Sequence, residues 1–180
     1  MLDASDKLDE QPRATHYAPP AVQVLRRAGV IDRIREQGIY MKQVCWRKPN
    51  GDYIAGLDLM HLIDYEDRLA CLPLNRVSRI ILDDLEKFPN ATVKWSHNVI
   101  GIGQDDSKAW VQVETPAGDQ KFEADYIVGC DGANSAIRRG LFGKSFPGHT
   151  WNEQIVATNV GAQYAVYSPS IADATFPDLL

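Results

Sequence analysis

Between Ala21 and Gly38 the apolar residues recur at helical spacing. Val22, Val24, Leu25, Ala28, Ile31 and Ile34 follow Pro19 and Pro20 and precede Gly38, the order expected of a helix with proline at its start and glycine just past its end. Gly29 interrupts the run, so two helical pieces are predicted. A second helical face, Val77, Ile80, Ile81 and Leu85, predicts a helix from Asn75 to Phe88 that stops at Pro89-Asn90.

Elsewhere the pattern is that of strands. Tyr40 to Arg47 and Tyr53 to Leu59 flank Pro49-Asn50-Gly51-Asp52, and Asn-Gly suits the positive φ angles of a tight hairpin turn. Three short strands are predicted at Thr92 to Trp95, Val99 to Gln104 and Ala109 to Thr115. In the last, Ala109, Val111 and Val113 alternate with Trp110, Gln112 and Glu114. Pro116-Ala117-Gly118-Asp119 turns the chain into a further strand near Phe122. Leu2-Asp3-Ala4-Ser5 reads as the end of a strand whose earlier part is missing, and Asp6 to Thr15 reads as a loop.

Asp125-Tyr126-Ile127-Val128-Gly129-Cys130 is a short apolar run of the kind a strand buried on both faces requires. Asp131-Gly132 and a helix from Ser135 to Leu141 follow. Asp131 therefore stands where a strand ends and a helix begins, which is where open α/β sheets bind ligands. Gly132 lets a ligand approach the backbone, and the helix start beyond favours a phosphate. The same residues also read as a plain turn, with Asn134 or Ser135 capping the helix. Beyond Pro147-Gly148 only a strand at Gln154 to Val160 is predicted, and the tail shows no clear period.

Composition narrows the class. The chain has 180 residues, 44% of them hydrophobic, enough for one core. A net charge of −5, with Lys and Arg dispersed, argues against a nucleic-acid surface. Neither a signal-peptide pattern nor a membrane-length apolar run is present, so a soluble, cytoplasmic protein is expected. Cys45, Cys71 and Cys130 lack the Cys/His spacing of a zinc site and are expected to be reduced and mostly buried, and no metal is implied. His16, His61, His97 and His149 are scattered, and none is assigned a catalytic role.

The string from Ala124 to Arg138 resembles the internal Asp-Gly motif of the FAD-dependent aromatic-ring hydroxylases typified by p-hydroxybenzoate hydroxylase. Pro12-Arg13-Ala14 is similar to that family's flavin-contacting arginine loop, and Val24 to Val30 to its next helix. The resemblance covers roughly Leu2 to Val160. It implies an α/β chain with α+β elements: a partial FAD-binding, Rossmann-like fold with inserted β-strands. Residues 1–147 would form the partial FAD-binding domain, with its inserted hairpin and strands, and 148–180 the start of a substrate domain.

By the same resemblance Asp3 falls where an acid hydrogen-bonds the FAD ribose, and Arg13 near the flavin or its pyrophosphate. Asn75 and Arg76 open a helix that contributes a side chain to the cofactor, although Leu74 stands where relatives often carry a polar residue. Asp131 and Gly132 belong to the motif associated with FAD and NADPH. On the residues alone, Asp3 is equally an exposed acid, Arg13 a solvated loop residue and Arg76 half of a surface ion pair.

The resemblance implies FAD with NADPH or NADH, O₂ and an aromatic or polyketide-like small molecule, in aromatic catabolism or secondary metabolism. Catalytic residues are not identified. The family's Gly-x-Gly-x-x-Gly and its later Gly-Asp motif have no counterpart here, since Gly101-x-Gly103 lies in a strand pattern. A truncated enzyme is therefore expected. The alternatives are an inactive fragment that binds a protein partner or a complementing half through unpaired sheet edges, and an unrelated α/β binding module without flavin.

Overall fold

The structure is a computed structural model and describes residues 1–11 and 13–154. The chain divides into two compact units, Met1–Pro147 and Gly148–Leu180, and every element below belongs to the first. The predicted strand at Gln154 to Val160 lies, but for its first residue, outside the described residues.

The helical run splits at Gly29 as its sequence requires. Helix α1 (Pro19–Arg27) ends ahead of Gly29, which has φ +77°, and α2 (Ile31–Gln37) follows. Gly38 leaves α2 in an extended conformation; it is needed because a Cβ there would lie 2.4 Å from the Cys71 carbonyl oxygen. Val22, Ile31 and Ile34 are buried, whereas Val24 is 60% exposed because α1 presents only one narrow face to its neighbours.

Three two-residue strands, β1 (His16–Tyr17), β2 (Ile39–Tyr40) and the central β5 (Ala70–Cys71), pair antiparallel beside these helices. Helix α3 (Leu74–Leu85) adds Val77 and Ile80, which join Val22, Val30, Ile31, Ile34, Ala70 and Leu72 in one core. Each fully buried aliphatic side chain stabilises the fold by about 1.5–3 kcal/mol. Ile81, expected on this face, is 44% exposed, and Leu82 is buried instead.

Strands β3 (Gln43–Arg47) and β4 (Tyr53–Asp58) form the predicted hairpin, with Gly51 at φ +92°. Tyr40 belongs to β2, so the hairpin begins later than expected. Cys45 is exposed on it because no second layer covers these two strands among the described residues.

The second core lies under β6 (Asn98–Gln104), β7 (Ala109–Thr115) and β8 (Gly118–Ala124), an antiparallel meander. Alternation along β7 buries Val111 and Val113 against Ile137 of α4 (Ala136–Phe142), with Leu2, Val99, Ile102, Phe122 and Ile127 around them. Thr92 to Trp95 forms no ladder. Its Lys94 makes a single parallel bridge with Leu2, which places Met1 to Ser5 as a short extended segment.

The buried strand expected at Asp125 to Cys130 is not formed. Tyr126 to Cys130 is neither a strand nor buried on both faces: Tyr126 is 89% exposed and Val128 83% exposed. Only Ile127 turns inward to the core. An apolar run is buried only where neighbouring strands cover it, and no described segment pairs with this one. Cys130 is exposed for the same reason, which leaves Cys71 as the single buried thiol of the three.

Candidate functional site

Asp3 and Asp131 line one cavity of about 630 Å³. Its walls are the two extended segments, Met1 to Ala4 and Tyr126 to Asp131, and its apolar lining includes Val99, Val111, Phe122 and Ile137. Met1 and Asp3 turn their backbone groups to Lys94 and His97, with Asp3 N–H donating to the Lys94 carbonyl at 3.0 Å. In an extended chain Leu2, the residue between them, aims its own the opposite way.

The Asp3 carboxylate accepts the Ser5 N–H at 2.8 Å through Oδ1. Its second oxygen has no hydrogen-bond donor among the described residues, so an acceptor is available for a hydroxyl of a ligand.

Asp131 is more heavily committed. Oδ1 accepts the Ser135 hydroxyl at 2.5 Å, and Oδ2 accepts the N–H groups of Ala136 at 2.6 Å and Ile137 at 3.3 Å. Ser135 in turn accepts the Arg138 N–H at 2.9 Å. The two side chains together satisfy the first donors of α4, which would otherwise be unpaired. The Ser135 hydroxyl above all, with those backbone N–H groups, holds the Asp131 carboxyl below the usual carboxylate range. A carboxylate has about four lone-pair positions, so one remains for a ligand. Gly132 has φ +77° with open space where a Cβ would stand, and it sets the turn between Asp131 and Ser135.

Arg13 and Arg76 do not line this cavity. Backbone bonds from Leu72 N–H to the Thr15 carbonyl and from Leu74 N–H to the Ala14 carbonyl bring the Arg13 loop alongside the start of α3. Arg13 is paired with Asp9 at 2.5 Å, and Pro12 before it lies outside the described residues. Arg76 reaches Gln37 Oε1 at 3.3 Å. The predicted residues thus fall into two groups: Asp3, Asp131 and Gly132 at one place, Arg13 and Arg76 at another.

Asn75, which opens this helix with Arg76 and to which the sequence assigned no contact of its own, stands at this second place. Its amide nitrogen donates to the Glu10 carbonyl at 3.3 Å, while its buried Oδ1 has no donor. An orphaned buried acceptor at a helix start fits a ligand that brings a hydroxyl or N–H. Asn at the first turn is so common as a helix-start residue that spacing alone does not single it out.

Comparison with known proteins gives a family. The family model for the FAD binding domain matches residues 1–172. Para-nitrophenol 4-monooxygenase of Pseudomonas sp. (strain WBC-3) is 32% identical over 176 residues, 96% of this chain and 43% of that protein. The 6-hydroxy-3-succinoylpyridine 3-monooxygenase HspB of Pseudomonas putida (strain DSM 28022 / S16) is 31% identical over 163 residues, 88% of this chain and 41% of that protein. The crystal structure of p-nitrophenol 4-monooxygenase PnpA from Pseudomonas putida DLL-E4 superposes with a TM-score of 0.77 at 33% identity, covering 83% of this chain and 38% of that one. The chain therefore spans less than half the length of the relatives it matches.

Proposed function

Since the chain belongs to the FAD binding domain family, we propose that it is the cofactor-holding part of a flavin-dependent monooxygenase that hydroxylates a small aromatic ring. The observation that carries this reading is the meeting of Asp3 and Asp131 in one cavity. Asp3 offers a free carboxylate oxygen to a ribose hydroxyl. Asp131 orders the loop to α4 and keeps one lone pair for the dinucleotide. Arg13 and Arg76 would meet its phosphates or flavin edge, where a guanidinium can pair bidentately. The buried, unpaired Oδ1 of Asn75 lies at the same helix start.

Bound FAD, reduced by NADPH or NADH, would supply activated oxygen from O₂, and the protein positions the ring and keeps water out. The two relatives described above are named for a nitrophenol and a hydroxypyridine. That favours a single-ring substrate over a polyketide. The deciding experiment is the visible spectrum of the purified chain after incubation with FAD and desalting. A retained flavin band supports the reading, and a colourless protein counts against it.

A second reading rests on a separate observation. Tyr126 and Val128 are exposed, and residues 126–130 make no backbone hydrogen bonds among the described residues. Such an edge pairs readily with another strand, so the chain would act as a non-catalytic fragment that docks a protein partner or complementing half. Rapid amide exchange at Tyr126–Cys130 that slows as chain concentration rises supports pairing; slow exchange at every concentration contradicts a free edge. No described helix is long and apolar enough to cross a membrane.

A further inference from the structure

The Leu2–Lys94 bridge is one rung of a parallel pairing. Lys94 N–H donates to the Met1 carbonyl at 2.9 Å and Asp3 N–H to the Lys94 carbonyl at 3.0 Å. In a regular parallel ladder the next bonds would run from Ser96 N–H to the Asp3 carbonyl and from Ser5 N–H to the Ser96 carbonyl. Neither is made. His97 N–H takes the Asp3 carbonyl at 2.8 Å instead, and Ser96 N–H turns to the Ser5 carbonyl at 2.7 Å.

Ser96 is therefore an extra residue on its side of the pairing, a bulge, and its backbone shows how the extra length is absorbed. Its φ is +54°, and no other described residue apart from glycines has a positive φ. That left-handed region is disfavoured for L-residues. The turn is braced locally, because His97 Nδ1–H donates to the Trp95 carbonyl at 2.7 Å across Ser96. Bulges recur beside binding sites, where they re-aim a side chain or end a pairing.

The consequence falls on Ser5. Released from the ladder, its N–H donates to Asp3 Oδ1 at 2.8 Å. That bond fixes one carboxylate oxygen of a residue that lines the larger cavity and leaves the other oxygen open. We propose that Ser96 is a positioning residue for the Asp3 carboxylate: by ending the ladder early it frees the Ser5 N–H, and so sets the angle at which Asp3 meets a ligand hydroxyl. Ser96 does not line the cavity, so it acts through Asp3. Its part in binding rests on the reading of that cavity as the FAD site.

Two substitutions separate the backbone effect from the side chain. A residue branched at Cβ resists a positive φ, so Ser96→Val should let the ladder run on and draw the Ser5 N–H to the carbonyl of position 96. Glycine adopts the left-handed conformation freely, so Ser96→Gly should keep the bulge.

The test reads two signals from the full chain. The first is the Ser5 amide proton of ¹⁵N-labelled protein without FAD. An amide bonded to a carboxylate resonates downfield, and the signal should move upfield in Asp3→Ala and in Ser96→Val but hold its place in Ser96→Gly. The second is FAD affinity by flavin fluorescence. Ser96→Val should weaken it about tenfold, and Ser96→Gly should restore the wild-type value. In an Asp3→Ala background Ser96→Val should cause no further loss, whereas a purely structural role predicts the same loss in both backgrounds. If Ser96→Val does not fold, Ser96→Thr, also branched at Cβ, carries the same comparisons. A wild-type Ser5 signal in Ser96→Val, or equal FAD losses with and without the Asp3 carboxylate, would overturn the proposal. A wild type that binds no FAD would sink the cofactor reading alone, since the Ser5 signal still decides whether Ser96 orients Asp3.

Discussion

The Asp131 carboxylate accepts the Ser135 hydroxyl at 2.5 Å, so the acid of the Asp131-Gly132 loop also caps the helix that follows it. The helix cap and the proposed cofactor contact are the same residue. Removing its side chain should therefore cost stability as well as cofactor affinity. Asp131→Ala is expected to lower unfolding free energy by about 1 kcal/mol, read from the urea midpoint at neutral pH.

The same contact predicts a pH dependence. The folded-state pKa of Asp131 is lowered, chiefly by Ser135. A depressed carboxyl contributes stability above its unfolded pKa, about 3.9, and that contribution is lost as pH falls through the folded value. The difference in urea midpoint between the wild type and Asp131→Ala should therefore be full at pH 6 and shrink below about pH 4. A difference unchanged down to pH 2 would assign the effect to packing rather than charge.

Gly129 is packed against α4. A Cβ at this position would stand 2.8 Å from the Ile137 Cβ, too close for a branched carbon to yield. Gly129→Ala is expected to destabilise the chain by roughly 1–3 kcal/mol, measured by thermal or urea unfolding.

The two faces of Tyr126–Cys130 should respond unequally. Val128→Ser, on the exposed face, should change stability by less than about 0.5 kcal/mol. Ile127→Ala, which removes a residue packed on the second core, should cost about 2 kcal/mol. Equal costs would mean that Val128 is covered in solution.

This segment also marks the limit of what the sequence reveals. Its composition fits a strand buried on both faces, but burial depends on neighbours that local pattern cannot supply. The alternation of Val111 and Val113, by contrast, was legible because it reports one face of one strand. Val24 shows the same limit in a helix: its spacing fits the apolar stripe, yet α1 buries Val22 and exposes Val24. The pairing of Asp3 with Asp131 could be anticipated only through family resemblance, because no local pattern links the two ends of the unit. Asn75 was legible as a helix-start residue but not as a candidate contact, because an unpaired acceptor is visible only in three dimensions.

Arg26 joins Glu66 and the buried Asp67, the latter at 2.6 Å. Removing it leaves a buried carboxylate without its counter-charge. Arg26→Ala should cost about 2–4 kcal/mol, and a double-mutant cycle with Asp67→Ala should recover part of that loss as coupling. Additive losses would show that the pair stands apart in solution.

The most direct test of the central claim, that the cavity shared by Asp3 and Asp131 holds the dinucleotide, is FAD affinity measured by flavin fluorescence for the wild type and Asp3→Ala. Asp3 makes one local backbone contact, so its loss should leave the fold intact. The account predicts saturable FAD binding that weakens about tenfold or more in Asp3→Ala. Absence of FAD binding by the wild type, or equal affinity in the two proteins, would contradict it.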